Sequence, residues 1–470
     1  MTDRLQTARA ASPAALLAMG LAACAPTVEL AAPQPVASTQ WSVPAAAGAA
    51  APTRPLASML DAPELAELVD RALSANPDLG VAAARIQQAR AQLREAQADA
   101  LPATSASLGI GGTASGRGGS DPFDLRLGAA GLDITWEADL FGRLSAGRRA
   151  AAARIGAAAS DRDALALALE SEVARAFVQH ATLGQRLTLL DRSLGSAREL
   201  ARIIDARVRH GASTRVESGA QALEVRQLEV ERSRLEEARS RTRNALALLI
   251  GDEAPRFGAP ASSLASLSVP ALALVQPGEL LTRRPDVRAA EARIAAAQGD
   301  VAQARAAFLP QLRLSAGGLA EAALGGPIAA TFSIGADLLA PIFNRGRLRG
   351  QLDFATAVQR ESVEQYRGVL LRALREAEDA LAGTEQSRLR AALLDEVIAQ
   401  ARETARLARL QYVEGVADLQ TVIEAEERLI GIEDALAVAT QERLEAAIDL
   451  YRAMGGAAAP EGRFVEARRN

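Results

Sequence analysis

A chain of 470 residues with a formal net charge of −4 offers no basic surface for a polyanion, which argues against a nucleic-acid partner. Two histidines (His180, His210) and a single cysteine leave too few soft ligands for a zinc, iron–sulfur or redox centre, so no metal or other cofactor is expected. Apolar residues reach 49% but aromatics only 3%, an Ala- and Leu-dominated balance that suits long helices packed through small side chains.

The chain opens with Arg4 and Arg9 and then carries no charge until Glu29. Within that window Ala14–Met19 is a short apolar run followed by small residues, the layout of an export signal rather than of a membrane span. Leu21-Ala22-Ala23-Cys24 matches the bacterial lipobox, in which cleavage falls before a cysteine that already carries diacylglycerol. A thioether accounts for the lone thiol of an exported chain, and two or three acyl chains give lasting attachment to lipid. An ordinary signal with a chance cysteine is the alternative. Residue 25 is Ala rather than Asp, which by the same resemblance implies sorting to the outer membrane. Residues 1–23 thus read as signal and 24–63 as a Pro/Ala-rich tether lipidated at Cys24. No run of about 20 apolar residues follows, so no spanning helix is expected, and the mature chain either lies on a membrane or crosses it as strands.

The remainder is written twice. Pro77-Asp78 recurs as Pro285-Asp286, Arg85-Ile86 as Arg293-Ile294 and Leu101-Pro102 as Leu309-Pro310, each 208 positions apart. Farther on, Gly142-Arg143-Leu144 recurs as Gly346-Arg347-Leu348, Gly211 as Gly415 and Gly251 as Gly455, each 204 apart. The division is a first repeat over 64–251, a Pro-rich crossing over 252–271, a second repeat over 272–455 and a tail over 456–470.

Each repeat opens with Pro-Asp, a helix-start signal, and a helix of about 24 residues closing at Leu-Pro. Alternating text follows, predicting β-hairpins near 103–141 and 311–343. In Leu132-Asp133-Ile134-Thr135-Trp136-Glu137-Ala138-Asp139-Leu140 apolar and polar residues take strict turns, the period of a strand with one oily and one wet face. Proline then vanishes over 123–254 and 342–459, as long helices require, with breaks at Gly211 and Gly415. Residues 143–190 alone would make a helix of about 70 Å. Heptad-like spacing at Leu228, Leu235, Thr242 and Leu249 predicts close helix contacts.

Four strands cannot close a barrel, for which eight is about the minimum, and lipid tolerates no open sheet edge. If these strands enter a membrane, several chains must share one barrel. Leu132, Ile134, Trp136, Ala138 and Leu140 then meet lipid, whereas Asp133, Thr135, Glu137 and Asp139 line water. Trp136, Phe141 and Phe343 are placed for the membrane interface. A soluble hairpin packed on the helices is the alternative.

Trp136-Glu137-Ala138-Asp139-Leu140-Phe141-Gly142-Arg143-Leu144 resembles the strand-to-helix signature of the TolC-like outer-membrane factors, in particular their acylated NodT-type efflux lipoproteins. Leu280-Leu281-Thr282-Arg283-Arg284-Pro285-Asp286-Val287-Arg288-Ala289-Ala290-Glu291 and Pro341-Ile342-Phe343 resemble the family's second-repeat text. The resemblance implies a mainly α protein with membrane β, a homotrimer that forms a 12-stranded barrel continuous with a 12-helix periplasmic tunnel. It further implies the exit duct of a tripartite efflux system, docked to a periplasmic adaptor protein and an inner-membrane transporter. Gly211, Ala212, Gly415 and Val416 would then meet the adaptor, and Asp418 and Glu424 would form a periplasmic gate, with Arg428 one turn on as a pairing partner for Glu424. No catalytic set is expected: no Ser/His/Asp constellation stands out, the Gly-rich stretch Gly109–Gly119 lacks the Gly-Lys-Ser/Thr of a phosphate loop, and both histidines read as surface residues. The competing reading is a non-transporting periplasmic coiled-coil lipoprotein that spaces envelope layers. Both readings need the anchor and the helices, but only the duct needs two matched hairpins.

Overall fold

The computed structural model describes residues 41–42, 54–113, 124–272, 276–323 and 327–457. The signal, Cys24, most of the tether, part of the first hairpin loop and residues 458–470 lie outside the described residues.

After a single turn α1 (Leu56–Met59), one order of elements is laid down twice. The first copy is α2 (Pro63–Ala75), α3 (Pro77–Ala98), β1 (Ala103–Thr113), β2 (Asp124–Ala138), α4 (Arg143–Arg209) and α5 (Arg215–Leu249). The second is α6 (Pro277–Arg283), α7 (Pro285–Ala306), β3 (Gln311–Ala323), β4 (Ile328–Leu339), α8 (Arg345–Val413) and α9 (Leu419–Ala453). Proline stands first in α2, α3, α6 and α7, where its fixed φ suits a helix start and its missing N–H is not needed.

The long helices end just before Gly211 and Gly415, where breaks were expected. α4 has 67 residues and α8 has 69, so each extends about 100 Å at 1.5 Å per residue. Gly184 and Gly195 do not stop α4, because an interior glycine costs only about 1 kcal/mol against alanine and the flanking Leu, Arg and Glu favour helix.

The chain forms two compact units. One comprises 84–159 and 289–368 and contains the sheet, an antiparallel run in the order β1-β2-β3-β4. Its register puts Thr104 beside Ile134, Ile134 beside Ala316 and Ala316 beside Ile334 on one face. Ser105, Asp133, Gly317 and Ser333 line up on the other. Apolar and polar residues are therefore sorted onto opposite faces across all four strands. The apolar face is exposed, with Phe332 85% and Ile334 91% accessible, and among the described residues β1 and β4 each pair on one side only. In the same unit α7 lies close on α4, since a Cβ on Gly299 would come within 2.8 Å of Ala150 Cβ. Arg154 of α4 adds a two-pronged bond to Asp300 at 2.6 and 2.8 Å.

The other unit takes the described parts of 36–83, 160–288 and 369–470. Its core joins Leu56, Leu65, Phe177, Leu246, Ile250 and Tyr451, so the short N-terminal helices are packed onto α4, α5 and α9. Inside it Glu170 accepts from the Leu56 N–H at 3.2 Å and from the Tyr451 hydroxyl. Burial pushes the Glu170 carboxyl up despite those two donors, and burial beside Glu170 pushes the Tyr451 phenol up as well. Of the tether, Ser42 donates its N–H to Glu378 of α8 at 3.0 Å. His180, expected at the surface, is instead buried; burial and the nearby Arg239 and Arg243 lower its pKa and favour the neutral ring.

Candidate functional site

The sequence points to two working regions, the wet strand face and the helix tips. They lie in different compact units and are described separately.

In β2, Asp133 and Thr135 take the polar face, opposite Gly317 and Ser315 of β3. Gly317 leaves room for its neighbour: a Cβ there would stand 2.9 Å from Asp133 Oδ1. Glu137 shares that face but is tied back, accepting from Arg143 Nε at 3.0 Å and Nη2 at 2.8 Å. Its register neighbours are Arg313 and then Asp337, a row of alternating charge that no single strand discloses.

Asp139 departs from the expectation. β2 ends at Ala138, and the Asp139 carboxylate caps α4 instead, accepting from the N–H groups of Leu144 at 3.0 Å and Ser145 at 2.8 Å. Those donors answer the unpaired amides of a helix start, a local demand that outweighs the strand alternation. Burial alone raises the Asp139 pKa, but the Ser145 and Leu144 bonds and the Arg143 charge bring it below the ordinary value. Leu140 also lies past the strand. Trp136 stays on the apolar face, with its indole N–H donating to the Ala100 carbonyl at 3.0 Å. Phe141 and Phe343 are exposed, Phe343 fully so.

The tips are built alike. Gly211 and Gly415 adopt φ of +71° and +74°, a left-handed turn open to glycine at little cost. At the first, the N–H of Gly211 bonds Val208 O at 3.0 Å and that of Ala212 bonds Arg207 O at 2.8 Å. At the second, Gly415 bonds Tyr412 O at 3.1 Å and Val416 bonds Gln411 O at 2.8 Å. Each helix thereby ends in a closed cap with Gly211, Ala212, Gly415 and Val416 turned to solvent.

The next helix starts at once. Thr214 caps α5 by accepting from the Glu217 N–H, while the Glu217 carboxylate accepts from Thr214 N–H at 2.8 Å. Asp418, 204 positions on, caps α9 by accepting from the Thr421 N–H at 2.9 Å and hydroxyl at 2.7 Å. Those bonds hold its carboxyl below the usual range. Glu424 accepts from Gln420 Nε2 at 2.9 Å, and the structure places no ion pair between it and Arg428, contrary to expectation.

Sequence reasoning missed Glu427. It is half-buried, and its carboxyl is raised by burial first and then by Glu224 of α5 and Glu424. Its spacing of three from Glu424 puts both on one helix face, but Glu224 becomes a neighbour only through folding. Among the described residues no group of His, Cys, Asp or Glu is arranged to hold a metal ion, and no helix is long and apolar enough to cross a membrane.

Capping and charge at Asp418 separate by substitution. Asp418→Ser, which copies the neutral cap at Thr214, is expected to keep the melting temperature, whereas Asp418→Ala lowers it. If the charge gates, both raise single-channel conductance; if only the cap matters, Asp418→Ser leaves conductance alone.

A sheet apolar on its uncovered face and two copies of a long helical hairpin fit the class of outer-membrane efflux channels. The model of the outer membrane efflux protein family matches residues 68–252 and 276–456, and the chain belongs to that family. It is an outer-membrane channel component of efflux that projects into the periplasm. It is 34% identical over 409 residues to the pyoverdine export outer membrane protein OpmQ of Pseudomonas aeruginosa, covering 84% of this chain and 85% of that one. To the toluene efflux pump outer membrane protein TtgF of Pseudomonas putida it is 32% identical over 420 residues, covering 84% and 83%. The solved structure of the outer-membrane channel OprN aligns with a TM-score of 0.80 at 28% identity, covering 93% of this chain and 99% of that one.

Proposed function

We propose that the chain is one third of a passive exit duct. Three copies pool their strands into a 12-stranded barrel, and their long helices form a 12-helix periplasmic tunnel. The observation that carries this is the sorted sheet with two open edges, because hydrocarbon offers an edge no hydrogen-bond partner. Asp133 and Thr135 line the water, and Trp136, Phe141 and Phe343 sit at the interface.

The tips at Gly211, Ala212, Gly415 and Val416 receive a periplasmic adaptor, which brings an inner-membrane transporter. Asp418, the cap of α9, and Glu424, in its second turn, act on the entrance through their charge, with Arg428 beyond them. Residues 1–23 are removed as signal, 24–63 tether the repeats 64–251 and 272–455, and Cys24 carries lipid. No catalytic step is assigned. OpmQ and TtgF carry different cargo in their names, pyoverdine and toluene, which supports leaving cargo choice to the pump.

Ion conductance of the purified protein in a planar bilayer, with its mass from light scattering, tests this reading. Discrete conductance steps from a trimer are expected. A monomer that conducts nothing returns the case to the envelope spacer.

A further inference from the structure

In the second compact unit α5 runs back along α4 in one fixed register. Ser218 donates its hydroxyl to Asp205 at 2.7 Å, Arg232 donates Nε to Asp191 at 2.7 Å, and a Cβ on Gly184 would stand 3.6 Å from Arg239 Nη2. Each step back along α4 is matched by an equal step forward along α5. One turn farther, the same register sets His180 beside Arg243.

The basic groups gathered at this level go unanswered. His180 is 6% exposed, and among the described residues its ring has no hydrogen-bond or ion-pair partner. Arg243 Nε is buried without a partner, and Nη2 reaches only the neutral Asn244 Oδ1 at 3.3 Å. Among the described residues no acid pairs with Arg239, which lies at the exposed side. A buried donor without an acceptor is costly, and donors assembled at one level with no acid among them suit an anion.

Internal duplication shows that the helix pairing does not require these groups. At a shift of 204 positions, the counterpart of His180 is Thr384, whose hydroxyl donates to the Ala380 carbonyl at 2.8 Å, and that of Arg243 is the buried Ala447. Acids also stand here in the second repeat: Glu385 accepts from Arg388 at 2.8 and 3.0 Å, and Glu442 accepts from Arg390 at 2.7 Å. Their counterparts in the first repeat are Ala181 and Ala238. Between the repeats, then, two acids are exchanged for alanine while two neutral residues are exchanged for basic ones, all around one level of the same helix pair. Close packing alone gives no reason for that joint exchange, whereas binding of negative charge does.

We propose that His180, Arg239 and Arg243 bind a small free oxyanion, of the carboxylate or phosphate type, between α4 and α5. A guanidinium fork matches two oxygens of such a group, and the imidazole N–H supplies a further donor at the closed side. The buried positions of His180 and Arg243 Nε suit an ion small enough to enter between two helices, with Arg239 at the mouth. An ion held by both helices ties one to the other and so stabilises the folded chain.

Inorganic sulfate is the probe, because it keeps its charge across the neutral range. The full chain in detergent, dialysed against radiolabelled sulfate in chloride buffer, should show a single saturable class of bound sulfate. His180→Thr and Arg243→Ala, which install the second repeat's own residues, should each weaken that binding about tenfold, the loss of one hydrogen bond to a charged group. His180→Thr replaces a neutral ring, so its effect reads the bond rather than the surrounding field. At constant ionic strength, sulfate should raise the melting temperature of the parent more than that of either variant. If Arg243→Ala fails to fold, Arg239→Gln, at an exposed position, takes its place. Binding that survives these substitutions puts the ion elsewhere and overturns the site. A folded parent with no saturable binding also overturns it, leaving these groups to an acidic side chain of another protein. Neither result touches the duct, which conductance and mass decide.

Discussion

Arg284→Ala is expected to lower the stability of the folded chain by about 3 kcal/mol, the lower end of the range for breaking a buried ion pair. The Arg284 side chain is only 8% exposed. It donates Nε to Asp286 Oδ1 at 3.0 Å, Nη2 to Asp286 Oδ2 at 2.8 Å and to Glu376 Oε2 at 2.7 Å, and Nη1 to the Ala453 carbonyl at 3.3 Å. One guanidinium thus joins the start of α7, the middle of α8 and the end of α9. Burial alone lowers its pKa, but the two carboxylates more than offset that and keep it charged. Both acids remain about a third exposed, so water relieves part of their loss, which sets the estimate at the lower end.

The first repeat contains a control. There Asn76 stands at the equivalent place and donates Nδ2 to the Leu249 carbonyl at 2.9 Å, while Glu172, the counterpart of Glu376, pairs with Arg175. Arg284→Asn should therefore keep the bond to Ala453 and cost less than Arg284→Ala. Urea midpoints read by far-ultraviolet ellipticity measure the order. Equal losses for the two variants would mean that the carbonyl bond contributes nothing.

Much of the architecture was legible because duplication and alternation are local in text. The offset pairs correspond to an element order that runs twice, and the strict turns of Leu132 to Ala138 fall within β2. The failures have two causes, a partner distant in sequence and a competing local demand. Asp139 continues the alternation on paper, but the open N–H groups of α4 claim it. His180 reads as polar and is buried by helices that meet it only in the fold. Glu427 is an ordinary helix acid until Glu224 is brought beside it. Glycine alone does not mark a break: Gly195 is carried through a helix interior, whereas Gly211 and Gly415 end theirs where breaks were expected, with positive φ and closing bonds to Val208 and Tyr412.

Gly251→Ala is expected to destabilise by about 2–4 kcal/mol, combining the cost of a left-handed backbone for an L-residue with that of overpacking. Gly251 holds φ at +70° where α5 ends, and a Cβ there would stand 2.5 Å from the Ala75 carbonyl oxygen and 3.0 Å from its carbon. The obstacle is backbone at the end of α2, so it cannot turn aside as a side chain would. Its repeat partner Gly455 faces the end of α6 in the same way, at φ +83°, but a Cβ would meet Arg283 at 3.2 Å. That gap yields by a few tenths of an ångström, so Gly455→Ala should cost less, mostly through backbone strain. Gly195 lies inside α4 with open space where its Cβ would be, and Gly195→Ala should stabilise by up to about 1 kcal/mol. Urea midpoints should rank the variants Gly195→Ala above the parent, then Gly455→Ala, then Gly251→Ala. A Gly251→Ala protein as stable as the parent would show that α2 and α5 can separate without loss, and so that the meeting of these helix ends does not hold the repeat together.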